Sequence, residues 1–247
     1  MSGHNKWSTI KRKKGALDSK RSKIFSRIIK EMQVAVKEGG ADIETNARLR
    51  TAIQNAKGAN MPKDTIQRTI SKASDEGGNL LEMTYEGYLP GGVAVFIECL
   101  SDNNNRTVSN IRSIFTKRGG SLGTNGSLSF IFERKGVVTL QKNQIANRDD
   151  FELEIIDTGV EDIEEGDDVL ILTCPLETFS AVQKKLTALK IEAENAELRR
   201  IPNDTKTVDL ETAKRVLRII EDFEDDDDVQ NVFHNLEMTD ELMATME

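Results

Sequence analysis

Apolar positions in the first third of the chain recur at the 3.6-residue period of amphipathic helices. Ile24, Phe25, Ile28, Ile29, Met32 and Val36 define a helix over residues 21–38. With Lys20 at 0° and about 100° per residue, these side chains fall between about 40° and 180°. Lys20, Lys23, Arg27 and Lys30 fall between about −80° and 0°, so a basic stripe borders the apolar face. Arg21 lies inside the apolar arc and blurs the first turn. Gly39-Gly40 ends this helix. A second helix over about 46–59 carries Leu49, Ile53 and Ala56 on one face. Asn60-Met61-Pro62 breaks the chain, and Pro62 opens a third helix over about 62–74 that buries Ile66 and Ile70. Three short amphipathic helices with tight connections predict a small bundle, followed by a linker at Asp75-Glu76-Gly77-Gly78.

The period then changes. Pro90-Gly91-Gly92 leads into the β-rich run Val93–Cys99. Asp102–Asn105 supplies turn and capping residues for a helix over 106–118 with Val108, Ile111 and Phe115 inward. Gly119-Gly120 ends it, and 127–132 reads as a strand, giving β-α-β. Residues 136–201 read as strand 136–140, helix 148–157, strands 159–164 and 168–174, helix 176–189 and strand 191–198. That order is the ferredoxin-like β-α-β-β-α-β pattern. A helix over 208–222 and a strand over 229–236 return to complete the middle domain, because an unpaired strand edge is a liability. The expected fold is therefore α+β: an N-terminal three-helix domain followed by two ferredoxin-like α/β domains, the third inserted in the second. The expected boundaries are 1–78, 79–135 plus 207–240, and 136–206.

Composition supports several small cores rather than one large one. The 247 residues are 37% hydrophobic and 31% charged, with mean hydropathy −0.47, against an ordinary apolar share of about 45–50% when Gly is counted. No apolar run approaches the roughly 18 residues of a membrane helix, and residues 1–7 lack the apolar stretch of a signal peptide. Cys99 and Cys174 read as reduced core thiols. A cytoplasmic protein is expected.

Charge changes the picture more. The net charge of −8 conceals an asymmetry: residues 1–77 carry 17 Lys/Arg against 8 Asp/Glu, a balance of +9, and residues 78–247 carry 17 against 34, a balance of −17. Such a division points to a nucleic-acid-binding end on an acidic body. Residues 1–20 hold many lysines and few apolar anchors, so they read as a flexible basic arm that orders on a partner. The candidate phosphate contacts are Lys6, Lys11, Arg12, Lys13, Lys14, Lys20, Arg21, Lys23, Arg27 and Lys30. Trp7, inside the basic segment, either stacks on an unpaired base or caps the bundle. Arg106, Arg112, Lys117 and Arg118 form a possible second contact; surface salt bridging is the preferred reading. The third helix shows only Lys63, Arg68 and Lys72 outward beside Asp64, which argues against base-specific readout of a major groove.

Catalytic chemistry finds no footing. His4 and His234 have no nucleophile at a recognisable spacing. The glycine-rich run 119–126 lacks the G-K-[ST] ending of a phosphate loop and leads from helix to strand; it reads as a flexible turn. Asp225–Asp228 lacks EF-hand spacing and reads as a solvated acidic loop. No enzyme activity, cofactor or metal is expected.

An ordered set of short motifs resembles the YebC family: Ser2-Gly3-His4-Asn5-Lys6-Trp7 with Ile10-Lys11, Lys23-Ile24-Phe25, Glu38-Gly39-Gly40, Asn60-Met61-Pro62-Lys63-Asp64, Tyr85-Glu86-Gly87-Tyr88, Pro90–Val95, Asn105-Arg106-Thr107, Phe132–Gly136 and Asp227–Val232. The resemblance implies three domains and a non-enzymatic regulator of gene expression. It is commonly described as a DNA-binding transcriptional regulator, and its mitochondrial relatives look like translational activators. The implied partners are duplex DNA or, alternatively, ribosomal RNA and the ribosome, with no membrane.

Overall fold

The computed structural model describes residues 17–76 and 79–245, with side chains from Arg21 onward and excepting Glu76. The architecture is α+β, N-terminal helices followed by two antiparallel sheets with helices. The chain gathers into two compact units. One holds Asn79–Glu133 and Arg200–Glu247; the other holds Leu17–Gly78 and Arg134–Arg199.

Within the second unit the helices are α1 (Leu17–Gly39), α2 (Ala47–Gly58) and α3 (Lys63–Glu76). Their core holds Met32, Ala35, Val36, Leu49, Ala52, Ala56 and Ile66, with Phe25, Ile28, Ile29 and Ile70 packed against it. Helix α1 begins at Leu17, so the expected flexible arm loses residues 17–20 to the helix. The α1–α2 turn is closed by buried Asn46. Its Oδ1 accepts from the Leu49 amide at 2.9 Å, and its Nδ2 donates to the carbonyls of Ala35 (2.7 Å) and Gly40 (2.8 Å). A Cβ on Gly39 would sit 2.7 Å from that amide, and Gly40 adopts φ +79°, which explains the Gly39-Gly40 pair. The α2–α3 turn places Asn60 at φ 57° and buries Met61.

The Arg134–Arg199 part of this unit contains most of β4 (Phe132–Gln141), then α5 (Arg148–Ile156), β5 (Asp162–Glu165), β6 (Val169–Pro175), α6 (Phe179–Ala188) and most of β7 (Ala193–Pro202). The strand order β5-β6-β4-β7 is that of a ferredoxin-like sheet. Val138, Leu140, Leu170, Leu172 and Cys174 pack against Phe151, Ile155, Val182 and Leu186 of α5 and α6. Edge strand β7 is blocked by Asn55 of α2. Asn55 Nδ2 donates to the Ala196 carbonyl and Asn55 Oδ1 accepts from the Ala196 amide, both at 2.8 Å. One side-chain amide thus satisfies backbone groups that an edge leaves open.

In the first unit, β1 (Leu81–Leu89) and β2 (Val93–Ser101) form a hairpin paired from Leu89↔Val93 to Leu81↔Ser101. A 3-10 turn at Pro90–Gly92, with Gly91 at φ +78° and Gly92 at +75°, joins them. Then come α4 (Asn104–Arg118), β3 (Ser121–Leu122), α7 (Leu210–Asp225), β8 (Val229–His234) and α8 (Asp240–Ala244). The sheet order is β3-β1-β2-β8, so the C-terminal strand does return, pairing antiparallel with β2. Tyr85, Val95, Ile97 and Cys99 face Ile111 and Phe115 of α4 and Val216, Leu217, Ile220 and Phe223 of α7.

Two element readings change. The middle segment is β-β-α-β, because the segment before Pro90 is a strand that the sequence pattern left unread. The run 127–132 is a turn, not a strand, until β4 starts at Phe132. The cause is Glu86, a buried carboxylate on the reverse face of the hairpin. It accepts from the amides of Gly126 (2.8 Å) and Leu128 (2.6 Å) and from the Ser127 hydroxyl (3.4 Å). These bonds curl the segment under the sheet. Leu128, Phe132 and Ile131 then complete a second small core with Ala94, Phe96 and Phe233.

Candidate nucleic-acid interface

Helix α1 carries the described part of the predicted stripe. Lys6, Trp7, Lys11, Arg12, Lys13 and Lys14 lie outside the described residues, and Lys20 is described in its backbone alone. Lys20 to Lys30 spans about 15 Å of helix, a length of duplex that presents roughly nine phosphate charges. Arg21 is exposed. Its guanidinium stacks 5.3 Å from the Phe25 ring centroid and lies 3.5 Å from the Asn60 carbonyl, so a residue in the apolar arc serves the helix packing through its face and edge. Lys23, Arg27 and Lys30 are half-buried, and each is engaged in a polar or electrostatic contact. The stripe ends at Val34, which is buried on the same side of the helix.

Helix α4 divides the second candidate set. Arg106 is itself exposed but committed to a buried partner. Its Nε donates to Asp228 Oδ2 (3.1 Å), and its Nη2 donates to Asp228 Oδ1 (2.9 Å), Asp102 Oδ1 (3.0 Å) and Ser101 Oγ (3.0 Å). Thr107 Oγ1 donates to the same carboxylate at 2.9 Å. Burial pushes the Asp228 carboxyl up, but the hydrogen bonds from Thr107, Arg106 and Ser101 and the charge of Arg106 outweigh it, leaving it below the usual carboxylate range. Asp228 is 4% exposed. The reading of 225–228 as a solvated loop is therefore corrected at this residue, whose burial the α4 N-terminus makes possible. Arg118 pairs with Asp222 at 2.7 Å. Arg112 and Lys117 remain on the outer face, where with Ser109, Ser113 and Thr116 they line an open groove of about 450 Å³. Thus two members of the set are salt-bridged and two are offered outward.

The remaining candidates resolve into scaffold. The glycine-rich run 119–126, read as a flexible turn, instead opens with Gly119 at φ +78° as the α4 cap, contains strand β3 paired with β1, and is tied down by Glu86. His234 is buried in β8. Cys99 and Cys174 are buried and not disulfide-bonded; burial pushes the Cys174 thiol up, away from the reactive thiolate. Among the described residues no helix is long and apolar enough to cross a membrane, and no three His, Cys, Asp or Glu side chains gather as a metal site.

Sequence reasoning missed the turn-closing role of Asn46. It assigned no role to Glu86 or Asn55 and misread Asp228 as solvated, because each of these three acts on a partner distant in sequence. It also passed over Phe130, the most exposed large apolar side chain among the described residues at 72%. The only signal for Phe130 was its place in a run without charge.

Helices followed by two antiparallel sheets, with the basic stripe on the N-terminal helix α1, define an α+β protein of three-part organisation in sequence. Comparison supplies the family. Residues 5–76 match the model of the TACO1/YebC N-terminal domain, and residues 80–236 match that of the TACO1/YebC second and third domain. The chain belongs to the TACO1/YebC family. It is 49% identical to a probable transcriptional regulatory protein of Brachyspira hyodysenteriae, over 98% of this chain and 99% of that protein. It is 47% identical to one from Fervidobacterium nodosum, over 100% and 98%. A crystal structure of a conserved hypothetical protein from Aquifex aeolicus superimposes with a TM-score of 0.81 at 40% identity, covering 90% of this chain and 93% of that one.

Proposed function

We propose that this protein is a non-enzymatic, nucleic-acid-binding regulator of gene expression, a DNA-binding transcriptional regulator that holds phosphates through its basic N-terminal segment. The observation that carries the reading is the charge division, +9 over residues 1–77 against −17 over the remainder, with Lys20, Lys23, Arg27 and Lys30 at one-face spacing on α1. The names of the relatives agree with it. Lys and Arg release counterions from phosphates, so binding falls steeply with salt. Arg112 and Lys117 on α4 are the remaining members of a second phosphate contact. The acidic body repels the same polyanion and disfavours contact there except where a local patch is basic or uncharged.

A second reading, a translation factor on ribosomal RNA, is favoured by one observation. The outward basic side chains are Lys and Arg on a stripe rather than a set of base-reading side chains on one recognition helix, which suits recognition of backbone and shape. In-cell ultraviolet crosslinking with sequencing of all attached DNA and RNA tests both. Discrete promoter DNA is the result expected of a transcriptional regulator; enrichment of one ribosomal RNA locus transfers the function to the ribosome. Absence of any attached nucleic acid overturns both.

A further inference from the structure

We propose that Phe130 is a stacking platform for an unpaired nucleobase, so that the protein engages a single-stranded stretch of nucleic acid through the loop under its first sheet. This rests on the nucleic-acid reading above and narrows it.

A phenyl ring exposed at 72% gains nothing for the fold at that position, yet the backbone around it is fixed from several sides. Glu86 holds Gly126 and Leu128 as described. Ser129 Oγ donates to the Gly126 carbonyl at 2.9 Å. On the other flank, Asn203 Nδ2 donates to the Phe130 carbonyl at 3.0 Å, and the Asn203 amide donates to the Ile131 carbonyl at 2.8 Å. Leu128 and Phe132 are buried on either side. The ring is therefore presented from an ordered backbone, which lowers the entropy cost when a partner stacks on it.

The surroundings select the partner. No charged residue lies between Arg118 and Glu133, in a chain that is 31% charged. A phosphate brought to this loop meets no carboxylate from the loop's surface, since Glu86 is buried beneath it at 4% exposure. Thr124, Asn125, Ser127 and Ser129 offer hydroxyl and amide groups beside the ring. One aromatic face among small hydrogen-bonding side chains matches a base, which has a π-face and a polar edge. A protein-docking core needs contiguous apolar area instead. Asp204 and Lys206 are both exposed on the segment beyond Asn203, so that flank adds no net charge and recognition rests on the ring and its polar neighbours. Tyr88, partly exposed, lies on the same face of β1 as Glu86, two residues along, and offers a second aromatic side chain there.

The test uses the full chain with three probes: a single-stranded oligouridylate, an abasic strand of equal length and phosphate number, and a DNA duplex. The wild type is expected to prefer the base-bearing strand to the abasic one. Phe130→Ala is expected to lower affinity for the oligouridylate by about 5- to 100-fold and to leave the abasic strand and the duplex unchanged. Phe130→Trp is expected to retain affinity. In a Trp7→Phe background its emission is expected to be quenched by the oligouridylate and not by the abasic strand. Equal binding of Phe130→Ala and wild type to the oligouridylate overturns the inference and leaves the nucleic-acid reading standing. A change of oligomeric state in Phe130→Ala without a change in strand preference also overturns it and makes the ring a contact between copies. If the wild type binds none of the three probes at moderate salt, the reading itself falls, and the inference with it.

Discussion

Asp228 shows how one side chain joins two distant motifs. Asn105-Arg106-Thr107 and Asp227-Asp228 are separated by more than a hundred residues and meet as one buried, fully bonded carboxylate. Asp228→Ala removes the partner of a guanidinium and a hydroxyl, and is expected to cost about 2–4 kcal/mol, read as a lowered denaturant midpoint with unchanged slope. The folded carboxyl lies below its ordinary value. Its stabilisation is therefore complete above the unfolded value of about 3.9 and is lost as pH falls through the folded value. The stability gap between wild type and Asp228→Asn is expected to be flat near neutrality and to close below about pH 4. A gap that persists undiminished in acid would show that Asp228 acts through packing. Asp209, held below the carboxylate range first by the Thr212 hydroxyl, works in the same direction at the start of α7.

At the scale of elements, the helices carry the proposed interface and the turns carry the specificity of the fold. The α1 stripe and the preceding arm are expected to act through charge. Reversal at Lys11, Arg12, Lys13 and Lys14 should weaken nucleic-acid binding. It should also reduce the salt slope on duplex by about 0.9 for each phosphate no longer neutralised, with thermal unfolding of both sheets unchanged. Unchanged affinity would remove the arm from the mechanism. The α2 end tells a different story. A Cβ on Gly58 would overlap the Glu194 carbonyl, and Asn55 spans the β7 backbone. Asn55→Ala leaves a strand edge unsatisfied and should cost about 1–3 kcal/mol, visible as faster hydrogen exchange at Ala196 than in the wild type.

For the whole molecule, we propose the three-part division 1–78, 79–135 with 207–240, and 136–206 as the set of folding units. What supports it is that the second compact unit contains two separate apolar clusters, one among the helices and one under the β5-β6-β4-β7 sheet. Limited proteolysis is expected to cut first near 77–78 and to leave the segments of the middle part associated through β2 and β8. Co-degradation of all three parts at one rate would contradict the division. The acidic excess of residues 78–247 belongs to this scale too: under the proposed function it disfavours phosphate contact away from the basic segment except at locally basic or uncharged patches.

The amino-acid sequence by itself determined the elements whose pattern is local. The period of Ile28, Ile29, Met32 and Val36, the Gly and Pro stops, the β-α-β-β-α-β order and the charge division are all read within windows of a few turns, because the amphipathic period and the turn residues act on near neighbours. It was also enough to bring Val229–His234 back to the sheet, since an open edge demands a partner. The motifs that carried the family resemblance proved to be mostly scaffold: Gly39-Gly40 beneath Asn46, Glu86 beneath the loop, Arg106 and Thr107 on Asp228. Tertiary structure alone decided where side chains of ambiguous pattern point. Leu128, Phe130 and Phe132 alternate as a strand would, yet Glu86, 40 or more residues away, folds them into a turn that buries two and exposes the middle one. Arg106 has the composition of a phosphate contact and becomes an exposed clamp on a buried carboxylate because Asp228, 122 residues distant, is brought beside it. Such pairings depend on the free energy of burying a charge with its partner, a quantity set by what the rest of the chain brings alongside and absent from any local pattern.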